Sequence, residues 1–229
     1  MYNNKSKVFF FVIMIASVLL TSCGGQKSES QKAESQKVES QKVESQQIET
    51  QQKESENVYT ELSVKEFCDE YNIMDFHDDC GALAVDDGTE RNAMLISWCA
   101  IGYMWDNPTF TCYIFKDRFT QHILDSAQYY SVSIFHNDDY DESLLYLGTT
   151  SGRDEDKFEG SGLRVTEIDG IPCFADADYI ILCKKAASVD FDRDTMEDFV
   201  TYNSYYDEHD GVHRIFEGHI EKVLKRNGK

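Results

Sequence analysis

Six apolar runs set the limits on what this chain can fold into: Ala82 to Val85, Arg91 to Trp98, Phe110 to Lys116, Tyr129 to Phe135, Tyr179 to Lys185 and His213 to Leu224. They are short, rich in β-branched and aromatic residues, and bounded by polar stretches, which is the pattern of strands. Asp86-Asp87-Gly88-Thr89 lies between the first two as a hairpin turn. Helical signals are few: Ser63 can cap VKEFCDEY, and Thr120 can open QHILDSAQ. The pattern predicts a mainly β, antiparallel barrel or sandwich with a few short helices, not a parallel α/β sheet. No Gly-x-Gly-x-x-Gly follows any of the runs, so a dinucleotide-binding fold has no anchor.

All of these runs lie beyond residue 57. Residues 1–23 read as a lipoprotein signal peptide. Lys5 and Lys7 precede the apolar run Val8 to Leu20, which is too short to span a bilayer comfortably. It ends in Leu20-Thr21-Ser22-Cys23, which resembles the lipobox of bacterial lipoproteins and makes Cys23 the expected lipid attachment site. Residues 24–57 then repeat ESQKA, ESQKV, ESQKV, ESQQI and ETQQK. On a helix a five-residue period rotates by about 500°, so Ala33, Val38, Val43 and Ile48 form no apolar stripe. This tract is expected to be a disordered tether with a span of about 30–35 Å. The folded domain is therefore expected over 58–229. The chain is expected at a membrane, facing the periplasm or the cell surface.

The sequence carries 22 Lys+Arg against 42 Asp+Glu, a net charge of −20. Lysines and glutamates balance before residue 58, so the excess belongs to the domain. Such a surface repels phosphate backbones and excludes nucleic acid as a partner. A phosphate-bearing ligand would need a local cluster of cations. TTSGRDEDKFEG, residues 149 to 160, poses that question, because a Ser-Gly-Arg turn is followed by Lys157. Beyond Cys23, Cys99, Cys112 and Cys183 fall in strand-like runs as buried thiols, whereas Cys68 and Cys80 flank a polar segment and could pair.

Two metal patterns fail on chemistry. His209, His213 and His219 have the spacing of a zinc-protease motif, but Asp210 stands where the general-base glutamate belongs. Gly211 also weakens the required helix, and HRIFEGHIEKVL reads as a strand. Asp190, Asp192 and Asp194 alternate like a calcium loop, but Thr195 and Thr201 replace the needed glycine and glutamate. No metal site is expected. With no Gly-x-Ser-x-Gly elbow or Walker loop, hydrolase and nucleotidase readings also lack an anchor.

NAMLISWCAIGYMWDNP, residues 92–108, remains, with a turn expected at Asp106-Asn107-Pro108. Its backbone amides, single serine and large aromatic faces suit a flat heteroaromatic ligand. Asn92-x-Met94-x-x-Ser97-Trp98, Gly102, Trp105 and Pro108 resemble the flavin reductase-like, FMN-binding split-barrel family, close to the flavoredoxins. The resemblance continues through Tyr113, Arg118-Phe119-Thr120 and Tyr146 to Lys157, and again in His213-Arg214 and Gly218 to Val223. It implies an antiparallel split β-barrel, Greek-key-like, usually a homodimer with FMN near the subunit interface. FMN is expected ahead of FAD. Asn92, Ala93, Met94, Leu95, Ser97 and Trp98 would line the isoalloxazine, largely through backbone groups. Arg118 and Thr120 on one side, and Ser151, Gly152, Arg153 and Lys157 on the other, would hold the phosphate. The chain departs from the family pattern at Ala93 and Leu95, where threonine is common, and at Cys99, where glycine is.

By that resemblance the protein is an FMN-binding oxidoreductase, a membrane-anchored flavin reductase or flavoredoxin-like protein. Cytosolic relatives commonly take hydride from NADH or NADPH, pools not expected outside the inner membrane. Electron exchange with a protein or membrane carrier, or with an external acceptor, is expected instead. A lipoprotein that binds or delivers flavin without turnover is the alternative.

Overall fold

The computed structural model describes residues 58–228 except 137, 192, 193, 195 and 207–211. The signal and tether readings, and the roles considered for His209 and Asp192, therefore lie outside the described residues. Ten strands and six α-helices follow one another in the described chain. Strands β1 (Tyr59–Leu62), β2 (Gly81–Asp86), β3 (Arg91–Ile96), β4 (Cys99–Met104), β5 (Asn107–Phe115), β6 (Tyr129–Ile134), β9 (Tyr179–Asp190) and β10 (His213–Arg226) build one sheet. Its order is β3-β2-β6-β9-β10-β5-β4, with β1 beside β10, and every pairing is antiparallel. Strands β7 (Val165–Ile168) and β8 (Ile171–Phe174) form a separate hairpin.

The six expected strands are all present, and the Asp86–Thr89 turn joins β2 to β3. Asp86 Oδ1 accepts from the Gly88 amide, and Asp87 Oδ1 accepts from the Thr89 and Glu90 amides, with Gly88 at φ +88°. Ser63 caps α1 (Val64–Glu70) through a reciprocal capping box with Glu66. Helices α2 (Phe76–Asp79), α3 (Phe119–Ser126), α4 (Asp141–Thr149), α5 (Lys157–Gly160) and α6 (Phe199–Tyr206) complete the set.

Two expectations need correction. Thr120 does not open α3: Arg118 is the N-cap, because the Thr120 hydroxyl accepts a hydrogen bond from Asn92 Nδ2 instead. The turn after β4 falls at Trp105-Asp106, both at positive φ, and Pro108 lies inside β5 opposite Tyr103. Proline is tolerated there because the β10 ladder reaches only to Thr109, so no β10 partner calls for the missing N–H.

Both faces of the central strands are buried. Leu83, Val85, Met94, Ile96, Phe110, Tyr130 and Phe216 fill the barrel interior. Ala82, Ala84, Ala93, Ile180 and Leu182 point outward beneath Leu144, Leu147, Phe158 and Phe174, which come from α4, α5 and β8. Ser131 Oγ donates to the Pro172 carbonyl and Ser133 Oγ accepts from the Phe174 amide, tying the small hairpin to β6. Strand β3 comes alongside β5 with no ladder between them, and that gap is where the barrel splits.

Gly218 sits at a bulge in β10, where an added Cβ would lie 2.4 Å from the Tyr130 hydroxyl and 3.0 Å from Cys183 Cβ. Tyr130 is fully buried and donates to the Phe110 carbonyl, so it has little room to yield. Gly218→Ala is expected to destabilise the domain by about 1–3 kcal/mol, read as a lowered urea midpoint at unchanged slope.

Candidate functional site

The split between β3 and β5 opens a cavity of about 260 Å³. Its floor is Met94, Leu95, Ile96, Ser97 and Trp98, as β3 ends, and its walls are Tyr113 and Phe115 of β5 with His213 of β10. A second cavity of about 200 Å³ adjoins it, sharing Met94, Asp117 and Arg118. Asn92, Phe119, Thr120 and the loop Thr149 to Arg153 line this one, together with Lys157. One cavity sets aromatic rings beside a few polar groups, the other is polar and cationic, and they run into each other.

The cationic end is built from three elements. Arg118 stands at the N-cap of α3, which has no side-chain cap, so the positive end of that helix faces the cavity. The loop after α4 brings Ser151, Gly152 and Arg153 to the opposite side. The Arg153 amide donates to Ser151 Oγ, which holds the turn. Helix α5, capped by Asp156, supplies Lys157.

Each cation is tethered through a backbone carbonyl. Arg118 Nη1 donates to Gly148 O at 3.2 Å, Arg153 Nη2 to Asp117 O at 3.1 Å, and Lys157 Nζ to Leu147 O. The Arg153 guanidinium also lies 5.5 Å from the centre of the Phe119 ring. Elsewhere Lys65, Lys116, Arg164, Arg214, Lys222, Lys225 and Arg226 sit within ion-pair distance of a carboxylate, while Arg91 and Lys184 lie over aromatic rings and Lys185 donates to the Leu124 and Asp125 carbonyls. Among the described residues, Arg118, Arg153 and Lys157 have no carboxylate partner either, and these three line one cavity together. In a protein of charge −20, three cations on one cavity without a paired carboxylate have the chemistry to receive an anion.

Lys157 makes the point most sharply, being only 4% exposed. Burial, and then the neighbouring Arg118 charge, lower its ammonium from the ordinary 10.5 to about 8. Beneath the cations, Asn92 Nδ2 donates to Thr120 Oγ1 at 2.9 Å, both residues being buried. Gly152 packs on that amide so closely that a Cβ would lie 2.5 Å from Asn92 Oδ1. His213 Nδ1 lies 2.8 Å from the Tyr206 hydroxyl, and burial together with Arg118 lowers its imidazolium, favouring the neutral ring.

Most of the residues expected from the sequence meet here. Met94, Leu95, Ser97 and Trp98 line the apolar cavity, while Arg118, Thr120, Ser151, Gly152, Arg153 and Lys157 line the cationic one. Asn92 belongs to the cationic cavity. Ala93 lines neither, its methyl group being packed in the outer core cluster. Cys99 packs against the interior cluster, and burial pushes its thiol up to about 12. Cys68 and Cys80 are free thiols. Sequence reasoning did not single out Phe115, Asp117, Thr149 and Thr150. The two threonines precede Ser151 directly, and Asp117 precedes Arg118, so adjacency was the available signal. No histidine, cysteine and carboxylate cluster able to hold a metal occurs among the described residues, and Asp190 is engaged by Arg214 and Lys116.

The flavin reductase like domain model matches residues 81–229. The sequence matches no curated protein. Among solved structures, an FMN-binding protein from Thermus thermophilus with bound p-hydroxybenzaldehyde is 23% identical. The match covers 65% of this chain and 72% of that one, at a TM-score of 0.51. A flavoredoxin from Methanosarcina acetivorans is 16% identical over 65% and 69%, also at 0.51. An FMN-binding domain of a flavin reductases-like enzyme from Shewanella baltica OS155 is 14% identical over 74% and 78%, at 0.52. These likenesses show a shared split-barrel fold.

Lys157 carries its burial penalty below pH 8, where it stays protonated in the fold, and loses it above 10.5, where both folded and unfolded states are neutral. Lys157→Met is therefore expected to raise the unfolding midpoint of the ligand-free protein at pH 7 by about 2–8 °C. The gain should vanish as pH rises past the ordinary lysine range, as followed by calorimetry across pH.

Proposed function

The chain belongs to the flavin reductase-like domain family, and from that premise we propose that it is an FMN-dependent oxidoreductase held at a bacterial membrane through Cys23. It passes electrons through bound flavin to a protein or external acceptor. The observation that carries this reading is the trio Arg118, Arg153 and Lys157, unmatched by carboxylates and opening into an aromatic cavity at the barrel split. A flat ring system ending in a phosphate has this same division of chemistry. The residues present fit it: three cations, the Thr120 and Ser151 hydroxyls and an uncapped helix start for the phosphate, with the β3 backbone, Ser97 and aromatic walls for the ring. FMN is preferred over FAD because the cationic cavity is compact and suits a terminal phosphate. The Thermus and Shewanella structures are likewise described as FMN-binding.

When bound, the flavin supplies reversible electron and hydride chemistry, and the protein supplies its surroundings. Arg118, Arg153 and Lys157 neutralise the phosphate, and binding it restores the full charge of Lys157. Ser97 presents a hydroxyl at the ring-lining end of β3. Trp98, Tyr113 and Phe115 exclude water from the ring. His213, neutral and held by Tyr206, is placed at the same wall to accept or return a proton.

Arg118→Ala and Arg153→Ala are each expected to weaken FMN binding by about 10–100-fold, the loss of one charge-assisted contact, and to weaken riboflavin binding far less. Titration of the protein with both flavins, followed by fluorescence quenching, reads this difference. Equal FMN affinity in wild type and both variants would remove the phosphate assignment. Turnover is tested separately by reducing the flavin-loaded protein and following its reoxidation by ferric chelates or free flavin. Fast steady-state oxidation of NADH would contradict the expected choice of donor.

A further inference from the structure

The tip of the β4–β5 hairpin takes no part in either cavity, yet it shows Tyr103, Met104 and Trp105 at 77, 45 and 55% exposure. Its projection follows from how β10 is covered. Strand β5 pairs with β10 from His213 to His219, and β1 takes over from Val223 to Arg226. Strand β9 holds the opposite edge throughout, so β5 and β1 share one edge in succession. The hairpin must leave the sheet where β1 begins, and among the described residues its tip has no neighbouring strand.

The residue types at that tip are not those a turn would choose. Trp105 and Asp106 have φ of 51° and 58°, which suits asparagine and glycine and is costly for a tryptophan. Among the described residues, the ring near Trp105 is that of His219, at 6.0 Å. An indole, a phenol and a thioether are thus exposed at this tip, the indole in a backbone conformation that tryptophan rarely adopts. Their amphipathic character suits the headgroup layer of a bilayer.

We propose that Tyr103, Met104 and Trp105 form a wedge that enters the interfacial region of a zwitterionic bilayer, an inference that rests on the reading of Cys23 as lipid attachment. The expected tether joins the fold at Val58, whose carbonyl accepts from the Asn227 amide. That junction lies at the same end of β10 as the hairpin tip. An acyl anchor and an aromatic wedge are two weak membrane signals that act together. The net charge of −20 disfavours anionic headgroups, which selects a zwitterionic surface. There is a consequence for the electron partner. His213, at the cavity, lies at the other end of β10 from the level of the tip. Nine strand residues separate them, up to about 30 Å. The cavity mouth then stands off the lipid, and its partner arrives from solution or on another protein, not dissolved among acyl chains.

The test uses the full chain produced in a lipoprotein-processing bacterium, with lipid attachment read from its intact mass. It is reconstituted in phosphatidylcholine vesicles carrying bromine near the headgroup end of the acyl chains. The two tryptophans are separated by comparison with Trp105→Asn, which suits the turn. The expected result is that bromolipid quenches the Trp105 share of the emission at least about twofold, that Trp105→Asn abolishes this quenching while remaining on the vesicles, and that its unfolding midpoint does not fall. Emission indifferent to bromolipid in a chain whose mass shows the acyl groups would overturn the wedge and leave the anchor standing. A chain without acyl mass that stays in the supernatant would overturn the anchor, and the wedge with it. A concentration-dependent blue shift of Trp105 without vesicles would overturn the wedge in favour of a second copy of this chain.

Discussion

Strand β10 is the member on which the rest of the domain is built. It pairs with β9 along nearly its whole length, with β5 over its first half and with β1 near its end, so three strands separated widely in sequence meet on one ladder. Two register shifts, at Glu217/Gly218 and Ile220/Lys222, bend it enough to curl the sheet towards a barrel. Because β5 is committed to β10 and β4, it does not close against β3. The gap that results opens the candidate cavity. The site is thus a by-product of how the sheet spends its hydrogen bonds.

Electrostatics then divides that gap. A strongly acidic chain would ordinarily match each cation to a carboxylate, and most cations here are matched. Arg118, Arg153 and Lys157 are instead held by main-chain carbonyls, which orient them without cancelling their charge. The lowered Lys157 pKa is the cost of holding a cation in a buried place beside another cation. The acidic surface around it sharpens the contrast: it disfavours anions elsewhere, so the proposed phosphate would find its counter-charges here.

Local patterns in the sequence revealed much of the fold. Apolar runs marked six strands, Asp86 to Thr89 marked a hairpin, and Ser63 with Glu66 marked a helix start, because each depends on neighbours a few residues away. The elements that escaped notice were those whose stability is borrowed. Strands β7 and β8 are short and gain their place by packing on β6 through Ser131 and Ser133, and α4 is held by burying Leu144 and Leu147 on the outer alanines of β2 and β3. Thr120 has the residue type of a cap but does not act as one, for the same reason. Its hydroxyl is taken by Asn92, twenty-eight residues earlier, and no local rule anticipates that.

Residue types and their order alone supply the available chemistry: an antiparallel β domain, an acidic surface, and the cations and aromatics that a flavin phosphate would need. Those are properties of residue type and short-range order. The tertiary structure decided which of them act together. Arg118 and Arg153 come from different connections of the sheet, Lys157 from a one-turn helix, and His213 from the far end of the chain, and only the β5–β10 pairing and the α4 docking bring them to one opening. The tertiary structure likewise decided that Ala93 is core and Asn92 is site, since adjacent strand residues face opposite ways and the covering of each face is set by elements distant in sequence.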